Sequence, residues 1–153
     1  MKQTITKAAI DHFFRQGKLA VAGVSRDTKK FGHIVYNDLK EKGFEIYPVN
    51  PNMESITGKK CYKSVSELPP EIDRLLIMTP KNQTELVMQE AIKKGFKHIW
   101  IQQSSETPEA IKPALENNIN LIHSKCILLF AEPVTGFHKF HKFLAKIFGM
   151  LPK

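Results

Sequence analysis

"KLAVAGVSRDTKKFGHIVYNDLKEKGFEIYPVN", residues 18–50, decides the fold. "KLAVAGV" is short and apolar on both faces, as a strand inside a parallel sheet must be. A glycine and a polar, basic stretch follow. "GHIVYNDLKEKG" then has helical spacing, with Ile34, Val35 and Leu39 expected inward and Gly43 as its stop. "FEIYPVN" is apolar again and is halted by Asn50 and Pro51. Strand, loop, helix, strand is one βαβ unit, and parallel strands need such a crossover.

The rest of the chain repeats the alternation. Upstream, Thr6 caps a short helix carrying Ala9, Ile10, Phe13 and Phe14. Downstream come a capped turn in "SVSELPPEID" and a strand "RLLIMT". A helix "NQTELVMQEAIKKG" follows, with Leu86, Val87, Ala91 and Ile92 on one face. Then come a strand "HIWIQ", a helix "TPEAIKPALENN" that Pro113 is expected to kink, and a strand "INLIH". The pattern predicts an α/β domain: a doubly wound, Rossmann-like parallel sheet of about five strands, flanked by helices. The expected strand order is 3-2-1-4-5, counting these strands along the chain.

Composition narrows the class. The chain has 153 residues, enough for one core, with 42% hydrophobic and 25% charged residues. No apolar run is long enough to span a membrane, and "MKQTITKAAIDHFFRQG" lacks the apolar stretch of a signal peptide. Two cysteines, Cys61 and Cys126, make no disulfide framework and form no metal-binding pattern. A cytoplasmic protein without a metal is expected. The net charge of +8 favours anionic ligands, yet half of it sits in Lys139, Lys142, Lys146 and Lys153.

In such a sheet ligands bind beyond the carboxyl ends of the strands. Those ends read "GVSR", "VNP", "TPK", "QQSS" and "HSKC". In the first, Gly23 lets backbone approach a ligand, Ser25 offers a hydroxyl, and Arg26, Lys29 and Lys30 add positive charge. The helix that follows aims its positive end at the same place, an arrangement suited to a pyrophosphate. The three-glycine dinucleotide fingerprint is missing, and the second strand ends without the acid that would hold a ribose 2′-hydroxyl. Both absences count against a nicotinamide dinucleotide.

The ordered series "GVSR", "FG", "YPVNP", "GKKCY", "IMTP" and "WIQ" closely resembles the small bacterial coenzyme A-binding proteins over roughly residues 17–128. Those are Rossmann-like domains similar to the N-terminal domain of the succinyl-CoA synthetase α subunit. The resemblance implies coenzyme A or an acyl-CoA as ligand. It implies a phosphate loop at Gly23, Ser25 and Arg26, closed over by Lys29, Phe31 and Gly32. It places Asn50 and Pro51 beside the nucleotide, Thr79, Pro80 and Lys81 in the loop after the third strand, and Gln102 and Gln103 along the pantetheine path. The charge logic agrees: a 3′-phosphate and a pyrophosphate want Arg and Lys where NAD wants an acid.

The resemblance implies that the synthetase's phosphohistidine belongs to a further domain, which is not expected in these residues. The six histidines are scattered and form no triad, so no general base or nucleophile is evident and a binding or carrier module is expected. Both cysteines read as small buried residues. Residues 1–132 read as the coenzyme A-binding domain. In residues 133–153, Phe137, Phe140, Leu144, Ile147, Phe148 and Leu151 form one helical stripe, with Lys139, Lys142 and Lys146 opposite. This tail is expected to pack as a basic amphipathic helix on the domain or on a partner, with a homodimer as one arrangement. The alternatives are an NAD(P)-dependent oxidoreductase or its remnant, and an adaptor working through the tail at a membrane surface or partner. No nucleic-acid-binding motif is present, and membrane contact is not expected.

Overall fold

The computed structural model of the chain describes residues 4–131. The parallel sheet is built from β1 (Lys18–Ala22), β2 (Glu45–Val49), β5 (Arg74–Ile77), β6 (His98–Gln102) and β7 (Asn120–Lys125). A two-stranded hairpin, β3 (Ser55–Ile56) and β4 (Lys59–Lys60), stands apart from it. The helices are α1 (Lys7–Phe13), α2 (Phe31–Glu41), α3 (Lys81–Lys94) and α4 (Pro108–Glu116). Short 3-10 turns lie at Val65–Glu67 and Ile127–Leu129. No helix among the described residues is long and apolar enough to cross a membrane. The amphipathic tail expected over residues 133–153 lies outside the described residues.

Local signals account for the element ends. The Thr6 hydroxyl accepts from the Ala9 N–H and starts α1, and Thr107 does the same for Ala110 in α4. Gly95, at φ +92°, ends α3 in a left-handed turn with its N–H on Ala91 and Ile92 carbonyls. α4 runs through Pro113 from Pro108 to Glu116.

The sheet order is β2-β1-β5-β6-β7. Counting main strands along the chain this is 2-1-3-4-5, not the expected 3-2-1-4-5. Pro48 gives the physical reason. A proline has no N–H for a ladder and is confined to strand edges, so β2 cannot sit between two neighbours. β5 is buried at all four positions and belongs inside. β2 alternates, with Glu45 exposed and Ile46 buried, as an edge strand does. Beyond that edge the Tyr62 N–H donates to the Pro48 carbonyl at 2.8 Å, and Asn50 N–H donates back to Tyr62. The connection from β2 to β5 thus covers the open edge and re-enters the sheet on the far side of β1.

Two apolar layers sandwich the sheet. One gathers Phe13, Val35, Tyr36, Leu39 and Trp100 under α1 and α2. The other gathers Val65, Met88, Ala91, Ala110 and Ala114 under α3 and α4. Two positions expected inward are not. Ile34 is 40% exposed while Val35 and Leu39 are buried, and Leu86 is 60% exposed while Met88 and Ala91 are buried. The buried stripe on each helix is rotated by about one residue from the sequence reading.

Candidate functional site

Strand order reverses between β1 and β5, the place where an open α/β sheet leaves a crevice. A cavity of about 710 Å³ opens there, within the size range of small-molecule sites. Its walls are the turn after β1 (Gly23–Ser25), the start of α2 (Lys30–Gly32), the corner after β2 (Val49–Asn52) and the turn after β5 (Met78–Pro80). Lys63, Ser64 and Val65 close one side, and Gln83, Leu86, Val87 and Glu90 of α3 close another.

The turn after β1 is held by its own polar groups. The Ser25 hydroxyl accepts from Asp27 N–H, the Asp27 carboxylate accepts from Lys29 N–H, and Lys30 N–H donates to the Asp27 carbonyl. His33 Nδ1 donates to the Ser25 carbonyl at 2.8 Å, so its Nε2 accepts from Asn37 at 2.9 Å. His33 is thereby a neutral brace of this turn. Asn50 donates to the Val24 carbonyl at 2.8 Å and accepts from Asn52 N–H, tying the β1 turn to the β2 corner.

Glycine is required twice in this wall, for close backbone contact. Gly23 has φ +95°, and a Cβ there would lie 2.6 Å from the Met78 carbonyl carbon and oxygen. A Cβ on Gly32 would overlap the Gly23 carbonyl oxygen. The first turn of α2 is pressed onto the β1 turn, and the β1 turn onto β5. Neither α2 (N-cap Lys30) nor α3 (N-cap Pro80) has a side chain capping its first turn. Two helix N-termini without a capping side chain therefore meet at one cavity, with Lys30–Gly32 of one and Pro80 and Gln83 of the other in its lining. Beside them Thr84 donates to the Pro80 carbonyl, so the buried Thr79 hydroxyl donates to Thr84 at 2.9 Å.

Among the residues singled out from sequence, Gly23, Ser25, Phe31, Gly32, Asn50, Pro51, Thr79 and Pro80 line the cavity. Arg26, Lys29 and Lys81 are exposed and stand outside its lining. Gln102 and Gln103 do not line it. The Gln102 side chain is buried and accepts from the Ile127 N–H at 3.0 Å, while Gln103 is exposed. Sequence reasoning missed Lys63–Val65, Asn52 and the α3 face. Leu86 and Val87 belong to the apolar helix face seen in the sequence, a face whose spacing does not distinguish a cavity wall from a core.

Cys61 lies buried behind the β2 corner, its Sγ 3.9 Å from the Asn50 carbonyl. Burial pushes its thiol pKa up, although the Asn50 backbone, Lys63 and Arg26 pull the other way. Cys126 is buried as well. No group of three or more His, Cys, Asp or Glu among the described residues could hold a metal.

The chain is similar over 147 residues, at 34% identity, to the α subunit of an ADP-forming acetate–CoA ligase II of Pyrococcus furiosus. The match takes in 94% of this chain and 32% of that subunit. An ADP-forming acetate–CoA ligase II of Archaeoglobus fulgidus is 39% identical over 80% of this chain, which spans 19% of it. The chain thus spans a third or less of these ligases. Among solved structures, a hypothetical protein of Pyrococcus horikoshii superposes with a TM-score of 0.77 at 30% identity, covering 89% of this chain and all of the other. The CoA binding domain family matches residues 17–132, from the foot of β1 to the end of the described fold, and the chain belongs to that family.

Proposed function

We propose that the chain holds coenzyme A or an acyl-CoA in the cavity between β1 and β5, as a binding module whose thioester chemistry is completed by a separate domain or subunit. The observation that carries the reading is the convergence of two uncapped helix N-termini, α2 and α3, on one cavity at the strand-order reversal. Amide dipoles there favour a diphosphate. Lys30 and Lys63 on the walls, with Arg26, Lys29 and Lys81 outside, supply mobile charge for a further phosphate. The neutral arm of the ligand lies toward Val65, Leu86 and Val87, the apolar side of the same cavity. The ADP-forming ligases to which the chain is similar are several times longer than the shared domain, and the groups that would activate an acyl substrate are assigned to such additional parts.

Calorimetry with coenzyme A, 3′-dephospho-coenzyme A, NAD and ATP tests the reading. Coenzyme A is expected to bind most tightly, with a loss of about tenfold when the 3′-phosphate is removed, as charge-assisted contacts to it are lost. Lys30→Ala and Lys63→Ala are expected to weaken coenzyme A without changing the melting temperature. Equal affinity for the two coenzyme A forms would remove the assigned role of the lysines. Tighter binding of NAD would overturn the proposal and restore the oxidoreductase alternative.

A further inference from the structure

At the amino end of the sheet, the edge opposite the strand ends that line the cavity, two histidines meet. His12 is on α1 and His98 opens β6, and their Nε2 atoms stand 3.1 Å apart with ring centroids at 4.1 Å. The guanidinium of Arg15 lies 3.1 Å from the same His12 Nε2. A guanidinium only donates, so His12 Nε2 is an acceptor and the ring is neutral. His98 Nε2 then carries a proton and donates into the same acceptor, while its Nδ1 accepts from Asn120 of β7 at 3.3 Å. The two bonds into His12 Nε2 require that ring to be neutral, and the bond from Asn120 requires the same of His98.

The charged groups around the pair come from each neighbouring element. α1 supplies Lys7 and Asp11, paired with each other on its exposed side, and Arg15 lies just past its end. From β5 comes buried Arg74, with Asp73 beside it at 3.8 Å. β1 contributes Lys18, engaged by Glu71 at 3.0 Å, and β7 only neutral Asn120. A proton added to His12 Nε2 would replace the shared acceptor with a third donor. It would also put a positive charge against Arg15, while Asp73, the acid that acts on His98, already has Arg74 next to it. A bridging metal cation is disfavoured by the same two arginines.

α1 depends on this contact more than a long helix would. It has seven residues, well short of the length at which a helix holds itself together in water. Its apolar anchors are Ile10 and Phe13, the latter 5.4 Å from the ring of Trp100, with Phe14 at 5.5 Å. Arg74 adds hydrogen bonds to the carbonyls of Phe13, Arg15 and Lys18, which lie at the end of α1 and the turn into β1.

We propose that His12 and His98 form an acid-sensitive clasp: as a neutral pair they hold α1 on the sheet, and protonation in mild acid loosens α1 and uncovers Trp100. Burial first, then repulsion between the two rings once both are protonated and from Arg15 and Arg74, holds the His98 pKa below its ordinary 6.5, with Asp73 opposing. The folded chain therefore binds fewer protons than the unfolded one between the two pKa values. The stability contributed by the neutral ring is full above about pH 6.5 and is lost as pH falls toward the folded value.

Trp100 is the single tryptophan of the chain and reports the event directly. Its emission is expected to shift to the red as the full chain is taken from pH 7.5 to pH 5. Amide exchange of residues 9–13, corrected for intrinsic rate, is expected to accelerate by at least about tenfold over the same range. In NMR titration the His98 ring is expected to titrate below 6.5, in step with the emission change. The paired change His12→Gln with His98→Gln keeps a neutral donor and a neutral acceptor in place at every pH and is expected to abolish the transition. Should the paired variant fail to fold, His12→Gln alone, which removes the ring whose protonation breaks both bonds into its Nε2, is expected to diminish the transition. Flat emission and unchanged exchange across the range would overturn the proposal, as would the same transition persisting in both glutamine variants.

Discussion

At the amino end of the sheet, Arg74 is buried and donates to three backbone carbonyls, and the histidine pair and Asn120 bond among themselves. At the carboxyl end, α2 and α3 begin with no capping side chain and face an open cavity. The first region spends its polar groups on holding chain segments together. The second uses Ser25, Asp27, His33 and Asn50 to fix a wall, then leaves helix N-termini and lysines unspent. Stability and binding are thus separable by position: changes at the amino end should cost folding and spare the ligand, and changes to the unspent groups should do the reverse.

Gly23 is the test most able to break that separation, because it lies in the binding region yet is packed like a core residue. Gly23→Val forces a Cβ against the Met78 carbonyl at a positive φ. The expected loss is roughly 3 kcal/mol or more of stability, read by urea denaturation, and not a folded protein that merely fails to bind. A variant of wild-type stability would mean that β1 and β5 are not pressed together at this turn. Arg74→Met comes next. It strips three carbonyls of a buried donor and is expected to cost about 2–4 kcal/mol while leaving coenzyme A affinity unchanged; weakened binding at wild-type stability would couple the two ends. The smallest effect separates two faces of α2. Ile34→Gln, on an exposed position, should stay within about 0.5 kcal/mol. Leu39→Ala, fully buried on the same helix, should cost about 2–5 kcal/mol in the same denaturation experiment.

The βαβ rhythm was legible because apolar runs, helical spacing and the stops at Gly43 and Gly95 are local signals. The strand order was not, although Pro48 in "EIYPV" already argued for an edge strand and outweighs a generic doubly wound pattern. Helical period marks an apolar stripe but cannot tell a core face from a cavity wall, so the face carrying Leu86 and Val87 does not by itself show that both line the cavity. Gln102 was correctly seen at a strand end, yet only the fold shows its amide turned to the Ile127 N–H. Lys63–Val65 follow the Val49–Tyr62 bridge, a contact between the end of β2 and a later loop that no periodicity encodes. His12 and His98 are 86 positions apart, and their pairing is likewise invisible in one dimension.

The place of β1 between β2 and β5 has a consequence for the order in which the chain can organise itself. β1 and β2 are joined by a short crossover and can pair early, since closing a small loop costs little entropy. The other neighbour of β1 begins at Arg74, after the hairpin and a 3-10 turn, so that pairing is of high contact order and comes late by comparison. The floor of the cavity exists only once both pairings are made. A ligand held there cannot guide the first half of the chain into shape; it can only retain the finished fold, slowing its unfolding while leaving the early steps of its formation untouched.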